Sequence, residues 1–295
     1  MPQNRRTLIK NIIAGSAALA AAPVLSSFKN KKDDTLKLKG NINHSVCAWT
    51  YSFLSVEELC KVVKDIGFGA IDLIAPKDWP TLQKYGLYSS MCYTDGDISL
   101  TNGFNTIEYH DKLVQQFLDV IPQMVKAGYK DVICFSGSRR GMDDETGLKN
   151  CVTGLQKILP LAEKNGITLQ MELLNSKVDH HDYMCDNSKW GVELCKRLGS
   201  PNFKLLYDIY HMQIDEGDVI HTIRQNVDYF GHYHTGGVPG RHEIDETQEL
   251  YYPAIMKAIV ATGFKGYVAQ EFIPAAVGND AKIASLRKAI ETCDV

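Results

Sequence analysis

Four side chains that are suited to binding a metal ion recur in the second half of the sequence, each at the end of an apolar run. They are Glu172 in QMELLN, Asp208 in LLYDIYH, His234 in GHYHTGG and Glu271 in AQEFIP. A carboxylate in such a run is costly unless it is paired or bound to a metal. Three carboxylates and one imidazole form a hard, oxygen-rich ligand set that favours Mn²⁺ or Mg²⁺ and also suits Zn²⁺ or Co²⁺. The pattern therefore predicts a site for one divalent metal ion.

Taken singly, each of these residues also has a structural interpretation. Asp208 is suited to capping a helix, and Glu271 is suited to pairing with Lys265 or Arg241. His234 is equally compatible with a hydrogen-bonded histidine of the core. The spacing of all four favours the metal site, because each interval between them is close to the length of one strand-plus-helix unit.

The rest of the sequence alternates short apolar or β-branched runs with longer segments of helical period. Eight runs predict strands, at residues 46–53, 69–75, 87–94, 131–137, 167–175, 203–211, 229–235 and 266–272. Apolar strands joined by helices indicate a parallel sheet buried on both faces, and eight such units close a (β/α)8 TIM barrel of the α/β class. An open doubly wound sheet is the alternative, but it suits six strands better, and no Gly-rich dinucleotide fingerprint follows the first run. We therefore predict one TIM-barrel catalytic domain over residues 40–295, with the four ligands at the carboxyl ends of its strands.

Residues 1–30 differ from the rest of the chain and predict an export signal with a short linker. The segment NRRTLIK precedes an Ala-rich apolar run, NIIAGSAALAAAPVLSS, in which Ala20, Ala21 and Ala22 offer a small-residue cleavage site. The pattern resembles a twin-arginine signal, with Leu8 where Phe is common. A membrane anchor is the alternative, but the run is barely long enough to cross about 30 Å of hydrocarbon. We expect recognition by the twin-arginine export machinery and a periplasmic or otherwise exported location.

Composition narrows the classes of function. The chain has 295 residues, of which 44% are hydrophobic and 23% charged, as is typical of a globular protein and not of a disordered linker or scaffold. Its net charge of −3 supplies no positive field for binding nucleic acid. The cysteines include no CxxC pair, and we expect them to be free and buried. Assembly into a homo-oligomer is left open.

Four further residues near the predicted strand ends have types suited to binding a small substrate. Arg241 lies in a Gly/Pro-rich loop, where its planar guanidinium can bind a hydroxyl or carboxylate; a surface salt bridge is the alternative. His211 is suited to donating to a substrate oxygen or to orienting a metal ligand. Trp49 is suited to stacking on a sugar ring or to filling the barrel mouth, and His180 is a weaker candidate for substrate contact.

Several longer motifs resemble one known family over residues 46–274. They are CFSGSRRG, MELLN, YDIYHMQ, HYHTGGVPGRHEIDETQELYYPAIMKAI and GYVAQEFIP. The chain resembles the xylose-isomerase-like sugar isomerase/epimerase barrels and, within them, the hydroxypyruvate isomerase branch. The resemblance implies that the four ligands hold a divalent metal ion and that Glu172 and Glu271 form the acid/base pair. It also implies that His211 and Arg241 bind substrate oxygens.

The chemistry of such a site is proton transfer next to a carbonyl. A carboxylate with a pKa of about 4.3 cannot remove that proton unaided, but a metal ion that binds the substrate oxygens stabilises the resulting cis-enediolate. One glutamate takes the proton, and the same or the opposite glutamate returns it. Return to the neighbouring carbon is isomerisation, and return to the opposite face of the same carbon is epimerisation. The expected enzyme is a metal-dependent isomerase or epimerase of a small sugar or keto-acid such as hydroxypyruvate.

Two positions depart from the resemblance. Hydroxypyruvate isomerases tend to have Gln where this chain has His234, and ketose 3-epimerases tend to have Glu at the position of Val178. Three other functions therefore stay open: a lyase or dehydratase acting on an oxidised sugar or cyclitol, a noncatalytic carbohydrate-binding barrel, and the related barrel of apurinic endonucleases. The last is disfavoured because the chain has no basic field.

Overall fold

The strands of the protein form a single parallel sheet in the computed structural model, which describes residues 35–94, 96 and 99–295. Their bounds are β1 Asn43–Val46, β2 Ala70–Ile74, β3 Tyr88–Cys92, β4 Asp131–Cys134, β5 Thr168–Glu172, β6 Phe203–Asp208, β7 Phe230–Thr235 and β8 Tyr267–Gln270. The hydrogen-bonded order is β1-β8-β7-β6-β5-β4-β3-β2. A parallel bridge between Cys47 and Asp72 joins the two outer strands of that order. The predicted (β/α)8 TIM barrel is confirmed.

Helices connect the strands on the outside of the barrel, and local sequence signals explain where they begin and end. Their bounds are α1 Val56–Ile66, α2 Trp79–Lys84, α3 His110–Ala127, α4 Asp144–Leu155, α5 Leu159–Asn165, α6 Ser188–Leu198, α7 Ile209–Asp215, α8 Val219–Gln225, α9 Tyr252–Ala261 and α10 Asn279–Cys293. In α1, Ser55 and Glu58 form a reciprocal capping box, and the helix ends at Gly67 with φ 107°. In α6, the Asn187 side chain accepts a hydrogen bond from the Trp190 N–H.

All eight strands have bounds that differ from the predicted ranges, and two of the predicted ranges continue into a helix in the structure. The run at 46–53 was expected to be strand, but β1 ends at Val46, and Ala48–Tyr51 form a 3-10 helix that carries Trp49. The run at 203–211 ends as a strand at Asp208, whose carboxylate accepts hydrogen bonds from the backbone N–H groups of Tyr210 and His211. Asp208 is therefore the N-cap of α7, and His211 lies on the first turn of this helix. The capping hydrogen bonds of the Asp208 carboxylate end the strand, although the apolar pattern of the sequence continues.

The interior of the barrel contains polar side chains among the apolar ones. Asp72, Ser90, Gln170, His232 and Gln270 all lie on strands and are at most 1% exposed. Buried polar groups of this kind need hydrogen-bond partners, and other strands supply them here: Ser90 donates to Asp72, and Gln170 donates to Asp131. The eight cysteines are all buried and free, as expected.

The predicted export signal at residues 1–30 lies outside the described residues. Within residues 35–94, 96 and 99–295, no helix combines the length and apolar character that a membrane crossing needs. The described strands and helices extend from Asn43 to Cys293.

Candidate metal centre and active site

The barrel brings the four predicted ligands together at the carboxyl ends of four consecutive strands. Glu172 and Asp208 are the last residues of β5 and β6, His234 is the penultimate residue of β7, and Glu271 directly follows β8. One ligand atom from each residue lies within 4.8 Å of those from the other three, and all four side chains are buried. Parallel strands cause this convergence, because their carboxyl ends meet at one mouth of the barrel.

The chemistry of this ligand cluster fits a divalent cation. His234 Nδ1 lies 2.7 Å from Glu271 Oε2 and 3.1 Å from Glu172 Oε1. Three carboxylates that meet in a buried position repel one another unless cations balance them. Oxygen ligands with one imidazole nitrogen are the set expected for Mn²⁺ or Mg²⁺.

The two glutamates of the cluster have pKa values that are shifted in opposite directions. Burial and the nearby Glu271 raise the pKa of Glu172, and burial raises the pKa of Asp208 to about 7. Burial acts in the same direction on Glu271, but the charges of His234 and Arg241 outweigh it and hold the pKa of Glu271 well below the usual range. Two carboxyl groups with such different pKa values are suited to opposite roles in proton transfer.

Arg241 lies beside the cluster, on the loop that follows β7. Its Nη2 donates to Asp208 Oδ2 at 2.9 Å and also to Glu271 Oε2. The guanidinium lies over the rings of Trp49 and Tyr210, with distances of 5.6 and 5.2 Å to the ring centroids. These contacts place a fixed positive charge at the mouth of the barrel.

His211 is oriented by a hydrogen bond from the opposite side of its ring. The Asn175 Oδ1 accepts from the N–H groups of Val178 and Asp179, so the Asn175 amide nitrogen faces His211 Nδ1, at 2.6 Å. Burial and Arg241 hold the pKa of His211 well below its usual range, so the ring is neutral. Because Nδ1 then accepts a hydrogen bond, we assign the ring proton to Nε2.

The Nε2 of His211 faces a second donor. Arg241 Nη1 lies 2.7 Å from it, so two N–H groups converge on one point of the site. An oxygen atom that enters beside these two nitrogens can accept a hydrogen bond from each of them. The arrangement therefore suits a hydroxyl, carbonyl or carboxylate oxygen of a substrate.

The two remaining predicted contacts also lie near this mouth. Trp49 is 42% exposed, and its Nε1 donates to Glu271 Oε1 at 2.7 Å. The ring of His180 lies 5.1 Å from that of His211, centroid to centroid. The structure thus gathers all the predicted site residues, and it adds a role for the Trp49 indole N–H, which holds one oxygen of Glu271.

Asp72 also contacts the ligand cluster, although it was not among the site residues predicted from the sequence. This fully buried carboxylate lies in the middle of β2, with Oδ1 3.2 Å from His234 Nε2. His232, two residues before His234 on β7, lies on the other oxygen of Asp72, with Nε2 2.8 Å from Oδ2. The signal was present in the sequence as an aspartate inside the apolar run GAIDLIA and as the paired histidines of GHYHT.

Comparison with known families agrees with the fold. A family model described as the xylose isomerase-like TIM barrel matches residues 60–292. Because this match covers most of the sequence, the chain belongs to the xylose isomerase-like TIM barrel family.

Individual relatives match over shorter stretches. The 2-oxo-tetronate isomerase of Cupriavidus necator is 35% identical over 115 residues, which cover 39% of this chain and 44% of that protein. A human protein named as a candidate hydroxypyruvate isomerase is 31% identical over 114 residues, covering 39% of this chain and 41% of that protein. The matched segment is therefore less than half the length of either relative. Among solved structures, an AP endonuclease of family 2 from Brucella melitensis shares the fold, with a TM-score of 0.73 at 20% identity over 83% of this chain and 96% of that one.

Proposed function

We propose that the protein is an isomerase or epimerase of a small hydroxy-carbonyl compound, a sugar or a keto-acid such as hydroxypyruvate. The observation that carries the proposal is the convergence of Glu172, Asp208, His234 and Glu271 within 4.8 Å of one another. The names of the two relatives, both isomerases of small oxo-acids, support the same reaction class.

The four converging residues would hold one divalent metal ion, with Mn²⁺ or Mg²⁺ as the first candidates and Zn²⁺ or Co²⁺ as alternatives. When bound, such an ion polarises the substrate carbonyl and makes the adjacent C–H group more acidic. The buried position of the ligand cluster excludes water, which strengthens each electrostatic contact made inside it.

Glu172 and Glu271 would move the proton. Glu172 ends β5 and Glu271 directly follows β8, so β6 and β7 separate them around the ring, and they reach the site from different sides. A carboxylate takes the proton from the carbon beside the carbonyl, and the same or the other carboxyl group returns it. In the metal-free cluster, the raised pKa of Glu172 favours its protonated form, and the lowered pKa of Glu271 favours its ionised form.

Arg241 and His211 would bind the substrate oxygens. Their two N–H groups converge at 2.7 Å, beside the ligand cluster, and each is a donor. An enediolate carries negative charge on oxygen, so donors placed here stabilise it more than they stabilise the neutral substrate. Trp49, at the exposed mouth, offers a ring face to the carbon skeleton of a sugar.

The test is proton exchange in D₂O. The protein is loaded with Mn²⁺ or Mg²⁺ and incubated with keto-acids, free sugars and 3-keto sugars, and NMR and mass spectrometry follow label and product. We expect deuterium at the carbon beside the carbonyl and a product of unchanged composition. An unsaturated or cleaved product would instead indicate a lyase or dehydratase, and tight binding without exchange would indicate a noncatalytic binding protein.

We also propose that the chain is exported through the twin-arginine pathway. The proposal is supported by the NRRTLIK segment and the following Ala-rich run. A pathway that carries folded proteins would let the barrel take up its metal ion before export, away from more tightly binding ions outside. Replacement of both Arg5 and Arg6 by Lys should keep the protein in the cytoplasmic fraction; unchanged export would contradict the proposal.

A further inference from the structure

Asp72 is a buried carboxylate that the proton transfer proposed above does not use. It lies on β2 inside the barrel and is fully buried. A carboxylate in such a position is strongly destabilising unless it is paired and hydrogen bonded. We therefore expect a group near Asp72 that a negative charge would stabilise or orient.

Asp72 contacts side chains on two other strands, β3 and β7, and a serine of β1 extends this network. Its Oδ1 lies 3.2 Å from His234 Nε2. Its Oδ2 accepts a hydrogen bond of 2.7 Å from Ser90 Oγ, and Ser90 Oγ in turn lies 2.5 Å from Ser45 Oγ. The same Oδ2 is 2.8 Å from His232 Nε2. The carboxylate is therefore held from several sides and cannot turn away from His234.

The backbone of β2 is irregular at Asp72, and this irregularity helps to set the direction of the Asp72 side chain. The pairing of β2 with β3 shifts register on both sides of Asp72. The next residue, Leu73, has φ 57°, a left-handed conformation that a bulky residue rarely adopts. Such irregularities in strands re-aim side chains and are frequent next to active sites.

The two ring nitrogens of His234 face different groups. Nδ1 faces Glu271 and Glu172, at 2.7 and 3.1 Å, within the ligand cluster. Nε2 faces Asp72, outside the cluster. A histidine that offers Nδ1 to a metal ion must carry its proton on Nε2, and a carboxylate is the acceptor that best fixes that tautomer.

We infer that Asp72 is a positioning residue that fixes the tautomer and orientation of His234 and increases the basicity of its Nδ1 towards the metal ion. The inference rests on the proposed metal site and specifies how this chain holds its single imidazole ligand. Asp72 acts through His234, because Asp72 is not one of the four residues whose ligand atoms converge.

The test compares two variants of Asp72 with a matched control. Asp72→Asn keeps an acceptor but removes the charge, and Asp72→Ala removes both. Asp131→Asn is the control, because Asp131 is also a carboxylate on the barrel wall. It begins β4 at the opposite end from the ligand cluster, where it accepts a hydrogen bond of 2.8 Å from Gln170 Nε2.

The measured quantity is the Mn²⁺ dissociation constant of the full chain, from the EPR signal of free Mn²⁺ at a temperature where each variant is folded. We expect Asp72→Asn to weaken binding by about 10- to 100-fold, Asp72→Ala to weaken it further, and Asp131→Asn to leave it unchanged. A purely structural role would lower the unfolding temperature without changing this constant. In the Mg²⁺-loaded protein, ¹⁵N NMR of His234 should show the proton on Nε2, and Asp72→Ala should reduce the population of that tautomer.

Ser90→Ala keeps the inference testable if the Asp72 variants do not fold. It removes the hydroxyl that donates to Asp72 Oδ2, so we expect a smaller loss of Mn²⁺ affinity in the same direction. Wild-type affinity in every folded variant of Asp72 and Ser90 would overturn the inference.

Other outcomes separate this inference from the proposed function. Asp72, His232 and His234 also form a group whose ligand atoms lie within 4.8 Å of one another. Two Mn²⁺ ions per chain, one of them lost in Asp72→Asn, would show that these residues hold an ion themselves and would overturn the positioning role. A wild-type chain that binds no divalent ion overturns both ideas. A chain that binds Mn²⁺ but exchanges no substrate proton contradicts the proposed function alone, and the Asp72 affinities then still decide the inference.

Discussion

Charged side chains at the two ends of the barrel differ in how completely they are paired. At the amino-terminal end, charged groups have dedicated partners: Gln170 Nε2 donates to Asp131 Oδ1 at 2.8 Å, and His44 Nε2 lies 3.4 Å from Asp294 Oδ1. The N–H of Lys39 donates to Asp294 Oδ2 at 2.9 Å. These pairs satisfy each group locally, and they join the start of the barrel to the end of the chain.

At the mouth, the same kinds of side chain are crowded instead of paired. Glu172, Asp208 and Glu271 share two cationic partners, His234 and Arg241. Ionisation of all three carboxylates against these two cations would leave an excess of negative charge in a buried place, so the pKa values of Glu172 and Asp208 are raised and the binding of another cation is favoured. Charged side chains at the amino-terminal end therefore contribute to the stability of the fold, whereas those at the mouth are arranged for ligand binding and proton transfer.

The largest expected effect follows from removing one carboxylate at the mouth. Glu271→Gln keeps the shape of the side chain but loses a metal ligand and a proton acceptor. Turnover of the substrate found by D₂O exchange should fall by about 10²- to 10⁴-fold, while the metal-free variant should stay folded but unfold at a lower temperature, because His234 and Arg241 stabilise the ionised form of Glu271 in the folded protein. Steady-state kinetics and thermal unfolding, with Asp131→Asn as the control, check both parts. Undiminished turnover in Glu271→Gln would contradict the assigned role.

The second effect is a metal-dependent and pH-dependent stability. Burial raises the pKa of Asp208 from 3.8 to about 7, so in the metal-free state the folded protein binds more protons than the unfolded chain between these values. Metal-free stability should therefore fall as the pH rises through this window. A metal ion binds the ionised carboxylate, so its affinity rises over the same range.

Thermal unfolding with and without Mn²⁺ measures this effect. At an ion concentration of about 100 times the dissociation constant, binding should stabilise the protein by about 2.7 kcal/mol. For a fixed Mn²⁺ concentration, the gain should be larger at about pH 8 than at about pH 5.5. A gain that is equal at both pH values, or that persists in Asp208→Asn, would place the bound ion elsewhere.

The sequence predicted the barrel and the four ligands for the same reason. Strand-and-helix repeats of constant length recur along the chain, and Glu172, Asp208, His234 and Glu271 follow that repeat. Asp72 was missed because it lies in the middle of its apolar run and not at the end, and because its role depends on a register shift in β2 and on contact with β7, which the repeat does not specify. The predicted bounds of the first strand were wrong because a short apolar run does not distinguish a strand from a helical turn. Tyr51 is buried although its backbone is in a 3-10 helix, so the apolar pattern around Trp49 is the same in either case.

Loss of the hydrogen bond between Trp49 and Glu271 should have a smaller effect on turnover. Trp49→Phe keeps an aromatic ring but removes the N–H that donates to Glu271 Oε1 at 2.7 Å. A hydrogen bond to a charged group contributes about 1.5 kcal/mol, so kcat/KM should fall by about tenfold. Trp79→Phe is the matched control, since Trp79 Nε1 donates to the backbone oxygen of Ile74. The control should lose stability with little change in kcat/KM, and equal kinetic losses in both variants would remove the proposed role of Trp49.

The smallest effect tests the other end of the barrel. Asp294→Ala removes the partner of His44 and of the Lys39 N–H, which should lower the free energy of unfolding by about 1 kcal/mol. Kinetics and Mn²⁺ affinity should not change, because Asp294 follows α10 and contacts His44 near the start of β1, at the end of the barrel opposite the ligand cluster. Urea unfolding and Mn²⁺ titration of one sample measure both quantities. If Asp294→Ala weakened Mn²⁺ binding as much as it lowered stability, the two ends would be coupled, and the division between a stabilising end and a reactive mouth would not hold.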